Sequence, residues 1–135
     1  MPKGSCVCGD WTYEYEGEPA GVAVCYCKPC QKTAGANGSY NFLVPADKFK
    51  KLSGKDFLYS REGDSGKPVN YQNCGRCGTI MVADIEAMPG IKLVKAGTVD
   101  DADAITKGAP VVELYTRSRP GWCSPWKGAD QKETS

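Results

Sequence analysis

Histidine is absent from this sequence, although the chain has eight cysteines. Nucleophilic catalysis by a Ser-His or Cys-His pair is therefore excluded, because both pairs need an imidazole as the general base. Histidine is also the commonest protein ligand for metal ions. A site for a soft metal ion in this chain must therefore be built from cysteine thiolates, helped at most by a carboxylate or a water molecule.

Long hydrophobic runs and an excess of charge are also absent. No apolar run approaches the roughly 20 residues that span a bilayer, and residues 1–5 lack the apolar stretch of a signal peptide. The 17 basic and 16 acidic residues leave a formal charge of +1, which gives little attraction for nucleic acid or an anionic membrane. We therefore expect a cytoplasmic protein with neither a membrane nor a nucleic acid as partner.

The 135 residues suffice for one domain, which would bury roughly two thirds of its unfolded surface. No repeat, linker or low-complexity segment divides the sequence. We predict a single domain over residues 1–135 with its core at 4–129. The polar tail, residues 127–135, has no apolar anchor and is predicted to be frayed.

Short β-rich runs dominate the pattern. Trp11, Tyr13 and Tyr15 alternate with polar residues, which is typical of a strand with one buried face. Six further runs are predicted to be strands: residues 21–25, 39–44, 56–60, 79–83, 91–96 and 111–116. Helical turns are predicted at residues 28–34, where Pro29 suits the first turn, and at 46–51. The sequence thus predicts a mainly β, small antiparallel fold with one or two short helical turns.

Seven of the eight cysteines fall into three clusters: Cys6-Val7-Cys8, Cys25-Tyr26-Cys27-Lys28-Pro29-Cys30 and Cys74-Gly75-Arg76-Cys77-Gly78. Thiols stay reduced inside cells, so cysteines at such short spacings favour metal binding over disulfides. A secreted disulfide scaffold is the alternative. The third cluster has the strongest signal, because a CxxC with glycines can form a tight turn whose N–H groups point at the sulfurs.

A structural zinc ion takes four protein ligands. The first and third clusters together supply four thiolates for a closed site that would staple the fold: Cys6, Cys8, Cys74 and Cys77. The middle cluster then supplies a separate triad: Cys25, Cys27 and Cys30. In the competing arrangement, Cys74 and Cys77 join the triad, and the first cluster has no role.

Three thiolates and one exchangeable position are the ligand set of a catalytic rather than a structural zinc ion. Zn²⁺ with three thiolates is formally negative and polarises carbonyl groups weakly, but it suits a soft fourth donor such as a substrate thiol. We therefore expect one zinc ion at each site and a small-molecule thiol or thiol adduct as the partner. Alternatively, Cys123 or a carboxylate completes a second structural site, and iron is the other metal that thiolates hold.

Residues near the triad in sequence, and a few beyond it, are candidates for contact with a substrate. Tyr26 offers a phenol for hydrogen bonding or proton transfer, although an ordinary pKa of about 10 makes it a poor base. Four residues are candidates for substrate binding: Lys32, Tyr40, Trp122 and Cys123. Each has a structural alternative, since lysines are usually solvated, aromatic residues usually pack in the core and a free cysteine usually behaves as a small apolar residue.

The order CxC, CxCxxC, CxxCG resembles that of the glutathione-dependent formaldehyde-activating enzymes, whose domain also occurs in centromere protein V. The likeness extends from Gly4 to about Ala129 and includes four supporting motifs: Gly4-Ser5-Cys6-Val7-Cys8-Gly9, Lys32 with Gly35, Ala96-Gly97-Thr98-Val99-Asp100-Asp101 and Arg119-Pro120-Gly121-Trp122. The resemblance implies that the first CxC and the last CxxC hold a structural zinc ion and that CxCxxC holds the catalytic zinc ion.

The same resemblance implies a β-tent fold of coiled antiparallel sheets, shared with a Rab exchange factor and with B-type methionine sulfoxide reductases. It also implies carbon–sulfur lyase chemistry like that of S-(hydroxymethyl)glutathione synthase, which joins a thiol such as glutathione to formaldehyde. The family usually has histidine and arginine where this chain has Tyr26 and Gln31. Sulfoxide reduction in the related family uses a histidine and is excluded here. A non-catalytic zinc-binding interaction module on the same fold is the alternative.

Overall fold

The computed structural model describes residues 1–135 and is mainly β, as predicted. Two helices are present, α1 (Lys28–Ala34) and α2 (Ala102–Lys107), with short 3₁₀ turns at Ala46–Lys48, Ala96–Thr98 and Thr116–Ser118. The strands follow in chain order: β1 Lys3–Ser5, β2 Thr12–Tyr15, β3 Gly21–Cys25, β4 Ser39–Pro45, β5 Phe49–Ser53, β6 Asp56–Glu62, β7 Pro68–Cys74, β8 Ile80–Ile85, β9 Ile91–Lys95, β10 Val112–Leu114 and β11 Asp130–Gln131.

The strands form two sheets. A small sheet has the order β1-β2-β5, and a large sheet has the order β11-β10-β3-β4-β9-β8-β7-β6. From β3 to β6 every neighbouring pair is antiparallel, as predicted. At the other edge the antiparallel prediction was wrong, because β10 runs parallel to both β3 and β11. Parallel neighbours need long crossover connections, and the chain from β3 to β10 supplies one that includes α2.

The aromatic alternation that leads into β2 builds the core between the sheets. Trp11, Tyr13 and Tyr15 are buried, and the ring of Tyr13 stacks on Phe49 of β5 with 5.1 Å between the centroids. Gly4 of β1 lies so close to the Tyr13 ring that a Cβ there would collide with it. Aromatic packing therefore determines how closely the three strands of the small sheet approach one another.

The large sheet has two different faces, because side chains alternate along its strands. In β4, Phe42 and Val44 are buried in the core with Val94 of β9. The alternate residues of the same strand, Asn41 and Leu43, point to the other side, where they line a cavity. The large sheet therefore packs against the core with one face and builds a cavity with the other.

Several elements differ from the prediction. The helical turn expected at 46–51 ends at Lys48, since Phe49 packs onto Tyr13 and begins β5, which pairs with β2. Strand β7 was not predicted, because the polar residues between Pro68 and Cys74 hide its alternation. Strand β1 and helix α2 were also missed, although Asp101 caps α2 by accepting from the N–H of Asp103 at 3.0 Å. Neither helix is long and apolar enough to cross a membrane.

The prediction of a frayed tail was wrong for the segment around β11. Its backbone pairs with β10 through the N–H of Asp130, which donates to Val111 O at 3.0 Å, and the N–H of Lys132, which donates to Glu113 O at 2.9 Å. Both side chains of β11 are exposed. Backbone hydrogen bonds rather than apolar side chains hold this segment, so composition could not reveal it.

Candidate functional site

Four cysteines that are far apart in sequence meet at the junction of the two sheets: Cys6, Cys8, Cys74 and Cys77. Their sulfur atoms all lie within 4.8 Å of one another. The first two follow β1, whereas Cys74 ends β7 and Cys77 lies in the turn after it. The competing arrangement, in which the last pair joins the triad, is not the one observed. We call these four residues the closed group.

Backbone N–H groups point at the sulfurs of the closed group. The N–H groups of Arg76 and Cys77 both donate to Cys74 Sγ at 3.4 Å, and the N–H of Trp11 donates to Cys6 Sγ at 3.2 Å. Hydrogen bonds from the hydroxyl and N–H of Thr79 lower the pKa of Cys77 to about 5. Such donors stabilise thiolates, and four thiolates form a donor set that fits a zinc ion.

The remaining cluster forms a second group, the triad Cys25, Cys27 and Cys30, whose three sulfur atoms also lie within 4.8 Å of one another. Strand β3 ends at Cys25, Cys27 is the N-cap of α1, and Cys30 lies in the first turn of α1. Hydrogen bonds from the other two sulfurs lower the pKa of Cys30, while contact with Cys27 and Cys30 raises that of Cys25. The three sulfurs are thus close enough to affect one another's ionisation, and a metal cation could bind all three thiolates.

The triad opens onto a cavity of about 340 Å³ beneath the large sheet. Its walls are mostly apolar side chains of β4, β7, β8 and β9: Leu43, Val69, Ala83, Ile85 and Leu93. None of the closed group lines this cavity. The volume of the cavity is within the range of small-molecule sites. Because only the triad lines the cavity, the two cysteine groups differ in their access to a ligand.

Two cations face the cavity among these apolar walls. Lys95 Nζ donates to Asn41 Oδ1 at 2.8 Å, and Arg61 Nε donates to the hydroxyl of Tyr71 at 2.8 Å. Burial lowers the pKa of Lys95, and the negative sulfurs of the triad oppose that shift. These cations therefore offset the negative charge that three thiolates would place beside the cavity.

Sequence reasoning named none of Lys95, Arg61, Tyr71 and Asn41. The available signal was Lys95, which comes two residues after Leu93 in the run 91–96 and so lies on the same face of the strand as this apolar residue. That signal becomes useful only when the register is known, because Asn41 and Lys95 are paired across β4 and β9.

No fourth cysteine sulfur or carboxylate oxygen lies within 4.8 Å of all three sulfurs of the triad. Cys123, the expected alternative ligand, does not line the cavity, and its sulfur lies 4.0 Å from the Tyr26 hydroxyl. Asp64 does line the cavity, but it accepts a hydrogen bond from Tyr115 at 2.6 Å. The geometry therefore leaves the triad as a three-sulfur group.

The other predicted substrate residues also lie outside the cavity. Trp122 is 73% exposed, and Tyr40 packs edge-on against Phe42 and donates its hydroxyl to the Gly108 carbonyl. Lys32 lies on the exposed side of α1 and borders a separate groove. Tyr40 therefore packs against the core, which is the structural alternative to substrate binding.

Tyr26 points away from the triad, as its position between two cavity-facing residues requires. Its hydroxyl donates to Glu113 Oε1 at 2.6 Å, and both residues are buried. Glu113 also accepts hydrogen bonds from the N–H of Trp126 at 2.9 Å and from the side-chain amide of Gln131. A guanidinium nitrogen of Arg119 forms an ion pair with Glu113 Oε1 at 3.6 Å. The phenol therefore anchors a buried carboxylate beneath the strand that leads to the triad, and none of its contacts supports the catalytic role in proton transfer that was predicted for Tyr26.

Replacement of Tyr26 by phenylalanine should lower the free energy of unfolding by about 1–3 kcal/mol, because the buried carboxylate loses a donor. Burial alone would raise the pKa of Glu113. Hydrogen bonds from Gln131, Tyr26 and Trp126 lower it by more than burial raises it, so the pKa lies below its ordinary value. The ionised carboxylate thus stabilises the fold above the ordinary glutamate pKa, and this stabilisation disappears as the pH falls through the lowered value. Urea titrations should show the gap between wild type and Glu113→Gln shrinking at acidic pH. A constant gap would contradict this account.

Comparison with known proteins agrees with the arrangement of the cysteines. Residues 1–118 match the family model described as glutathione-dependent formaldehyde-activating enzyme. No curated protein matches the chain. A protein of Rhodobacter sphaeroides, known from its crystal structure, shares 17% sequence identity and a TM-score of 0.62, with 80% of this chain and 96% of that chain covered. At that identity the similarity shows the fold alone. The family match covers most of the sequence, and the chain belongs to the glutathione-dependent formaldehyde-activating enzyme family.

Proposed function

We propose that this protein is a zinc-dependent carbon–sulfur lyase-type enzyme that acts on an adduct of a small electrophile with a glutathione-like thiol. The observation that carries the proposal is the contrast between the two cysteine groups. Four sulfurs converge away from the cavity of about 340 Å³, whereas three sulfurs converge on its wall. Four-ligand and three-ligand zinc sites correspond to structural and catalytic roles, respectively.

The residues assigned to each site follow from this contrast. The closed group would hold a structural zinc ion that staples the two sheets. The triad would hold the catalytic ion, whose chemistry is to favour the thiolate form of a bound sulfur. Formation and cleavage of the carbon–sulfur bond both depend on that thiolate, since the thiol itself is a poor nucleophile.

The cavity residues act on the substrate directly. Lys95 and Arg61 supply positive charge for an anionic thiol, and their contacts with Asn41 and Tyr71 hold the two cations in place. The apolar walls exclude water from the adduct, which strengthens these electrostatic interactions. A small electrophilic carbon bound to sulfur fits against the apolar walls.

Replacement of Lys95 by methionine should lower kcat/KM for a glutathione adduct by about tenfold or more, the equivalent of about 1.4 kcal/mol of lost charge-assisted contact. Lys95→Arg should retain part of the activity, because it keeps the charge. Lys92 provides the matched control: it lies in the same strand, but it pairs with Asp84 at 2.9 Å and does not line the cavity. Equal losses in Lys92→Met and Lys95→Met would contradict the assignment.

X-ray absorption at the zinc edge tests the proposed function. Adding glutathione should introduce a fourth sulfur at one metal site per chain and leave the other site unchanged, because only the triad faces the cavity. An unchanged spectrum at saturating thiol would exclude the proposal and favour a non-catalytic zinc-binding interaction module on this fold.

A further inference from the structure

Strand β6 is a long, open edge of the large sheet. It pairs with β7 on one side and has no neighbouring strand on the other, over 7 residues, whereas the opposite edge strand, β11, has only 2. Proteins usually protect such edges with short strands, bulges or charged side chains, because unpaired backbone groups attract another strand. The pairing of β6 with β7 contains no bulge. Neither a bulge nor shortness therefore protects this edge.

The backbone groups on the open side of β6 lack partners. Lys55 O accepts a hydrogen bond from the N–H of Gly75 at 2.7 Å. At the other end, the N–H of Gly63 donates to Lys67 O at 2.9 Å. These bonds and the regular register mean that the odd-numbered residues of β6 bond to β7. The outward-facing N–H and C=O groups, which have no backbone partner in the chain, belong to the even-numbered residues Asp56, Leu58 and Ser60.

Three consecutive large side chains in the middle of β6 are exposed: Phe57 is 60% exposed, Leu58 66% and Tyr59 56%. We call these residues the exposed triplet. In contrast, the edge strand β5 of the small sheet carries Lys50 and Lys51, and charged side chains of this kind discourage pairing. Contiguous apolar side chains on an unprotected edge mark an interaction surface.

The charge pattern of β6 favours a second copy of this chain as the occupant. The exposed triplet lies between two ends, Lys55-Asp56 and Arg61-Glu62, and each end has one cation and one carboxylate. An antiparallel second β6 brings each end beside the opposite end of its partner, so that the net charge at both ends is zero. A two-fold axis at Leu58 then places the apolar centre of one strand against the apolar centre of the other.

This register also matches the hydrogen-bonding groups. In a symmetric antiparallel pair, outward-facing residues must meet outward-facing residues. With the axis at Leu58, this residue lies opposite the partner's Leu58, and Asp56 lies opposite the partner's Ser60. Phe57 lies opposite the partner's Tyr59, so four aromatic rings meet on one face. Aromatic pairs of this kind stabilise antiparallel strands.

The size of the surface indicates a reversible dimer. The exposed triplet presents roughly 350 Å² on each copy. The triplets of two copies would thus bury roughly 700 Å² between them, in addition to the backbone and the charged ends. Interfaces of this class are weak and transient. Dimers should therefore form at micromolar concentrations and dissociate on dilution.

We propose that β6 pairs with β6 of a second copy of this chain, antiparallel and with the two-fold axis at Leu58, which joins the two large sheets into one. The interface uses no cysteine and is independent of the proposed function. Arg61 of the same strand lines the cavity, so the two cavities of the dimer would lie on the same face of the joined sheet.

Sedimentation equilibrium of the zinc-loaded chain tests the proposal, with a phosphine reductant present to prevent disulfides. Wild type should show a concentration-dependent equilibrium between monomer and dimer. Leu58→Lys should abolish the dimer, because two ammonium groups would face each other across the axis. Leu52→Lys is the matched control, since Leu52 is 45% exposed on the other edge strand, β5, and its replacement should leave dimerisation unchanged.

Ser60→Pro and Ser60→Ala form a second matched pair. The proline removes an outward-facing N–H without removing a hydrogen bond to β7, so circular dichroism should show a folded monomer. Its dimer affinity should fall by about tenfold or more, because symmetry removes two hydrogen bonds between the copies. Ser60→Ala keeps the N–H and should dimerise as wild type does. A wild type that stays monomeric at millimolar concentration would overturn the proposal, as would a dimer that persists in both Leu58→Lys and Ser60→Pro.

Discussion

Replacement of Cys27 by serine should remove one of the zinc ions from each chain and abolish turnover while the protein stays folded. Cys27 is the middle cysteine of the triad and lines the cavity, and a hydroxyl is a much poorer ligand for zinc than a thiolate. We expect kcat/KM for adduct formation from glutathione and formaldehyde to fall by at least about a hundredfold, or about 2.7 kcal/mol. Elemental analysis of zinc and exchange NMR of the adduct would measure the two effects.

Cys123→Ser is the matched control for this experiment. Cys123 is the one cysteine outside both groups, so its replacement should change neither the zinc content nor the rate. An unchanged rate in Cys27→Ser would eliminate the catalytic role of the triad, whatever the metal content. Loss of folding in Cys27→Ser would show instead that the triad site is structural.

Replacement of Cys74 by serine should unfold the chain. Cys74 is buried at the junction of the two sheets and accepts two backbone hydrogen bonds. Binding of zinc to a closed four-thiolate site contributes about 10–16 kcal/mol in small zinc domains, which is as large as the whole stability of a typical domain, about 5–15 kcal/mol. Circular dichroism should show loss of the β signal and of the cooperative thermal transition.

The comparison of Cys74→Ser with Cys27→Ser makes this prediction specific. Both variants exchange one sulfur for one oxygen, but only the first breaks the link between the sheets. A zinc chelator should act on wild type in two stages, releasing the ion held by the three sulfurs of the triad before the ion held by the four sulfurs of the closed group. Retention of a cooperative thermal transition in Cys74→Ser would contradict a structural role for the closed group.

The two cysteine groups could be predicted from sequence because each of the three clusters is local and the number of sulfurs favours joining the first cluster to the third. Ligand counting and short spacings separate four sulfurs from three without any knowledge of the fold. Burial of Trp11, Tyr13 and Tyr15 was predictable for the same reason, since their alternation lies within one strand.

The walls of the cavity could not be predicted, because they depend on strand register. Arg61, Tyr71 and Lys95 come from β6, β7 and β9, and their meeting follows from pairings between distant segments. The substrate residues predicted from their proximity to motifs lie outside the cavity. Tyr40, for example, follows the predicted alternation of β4 but points to the face opposite Asn41. A sequence pattern identifies the two faces of a strand but not which one meets a ligand.

A single strand, β7, carries Tyr71 to the cavity and Cys74 to the closed group. The closed group and one wall of the cavity therefore share a single backbone segment, so we expect disruption of the first to disturb the second. Under scarcity of zinc, loss of an ion from the closed group would therefore also destroy the cavity, whereas loss of an ion from the triad alone would leave a folded but inactive chain.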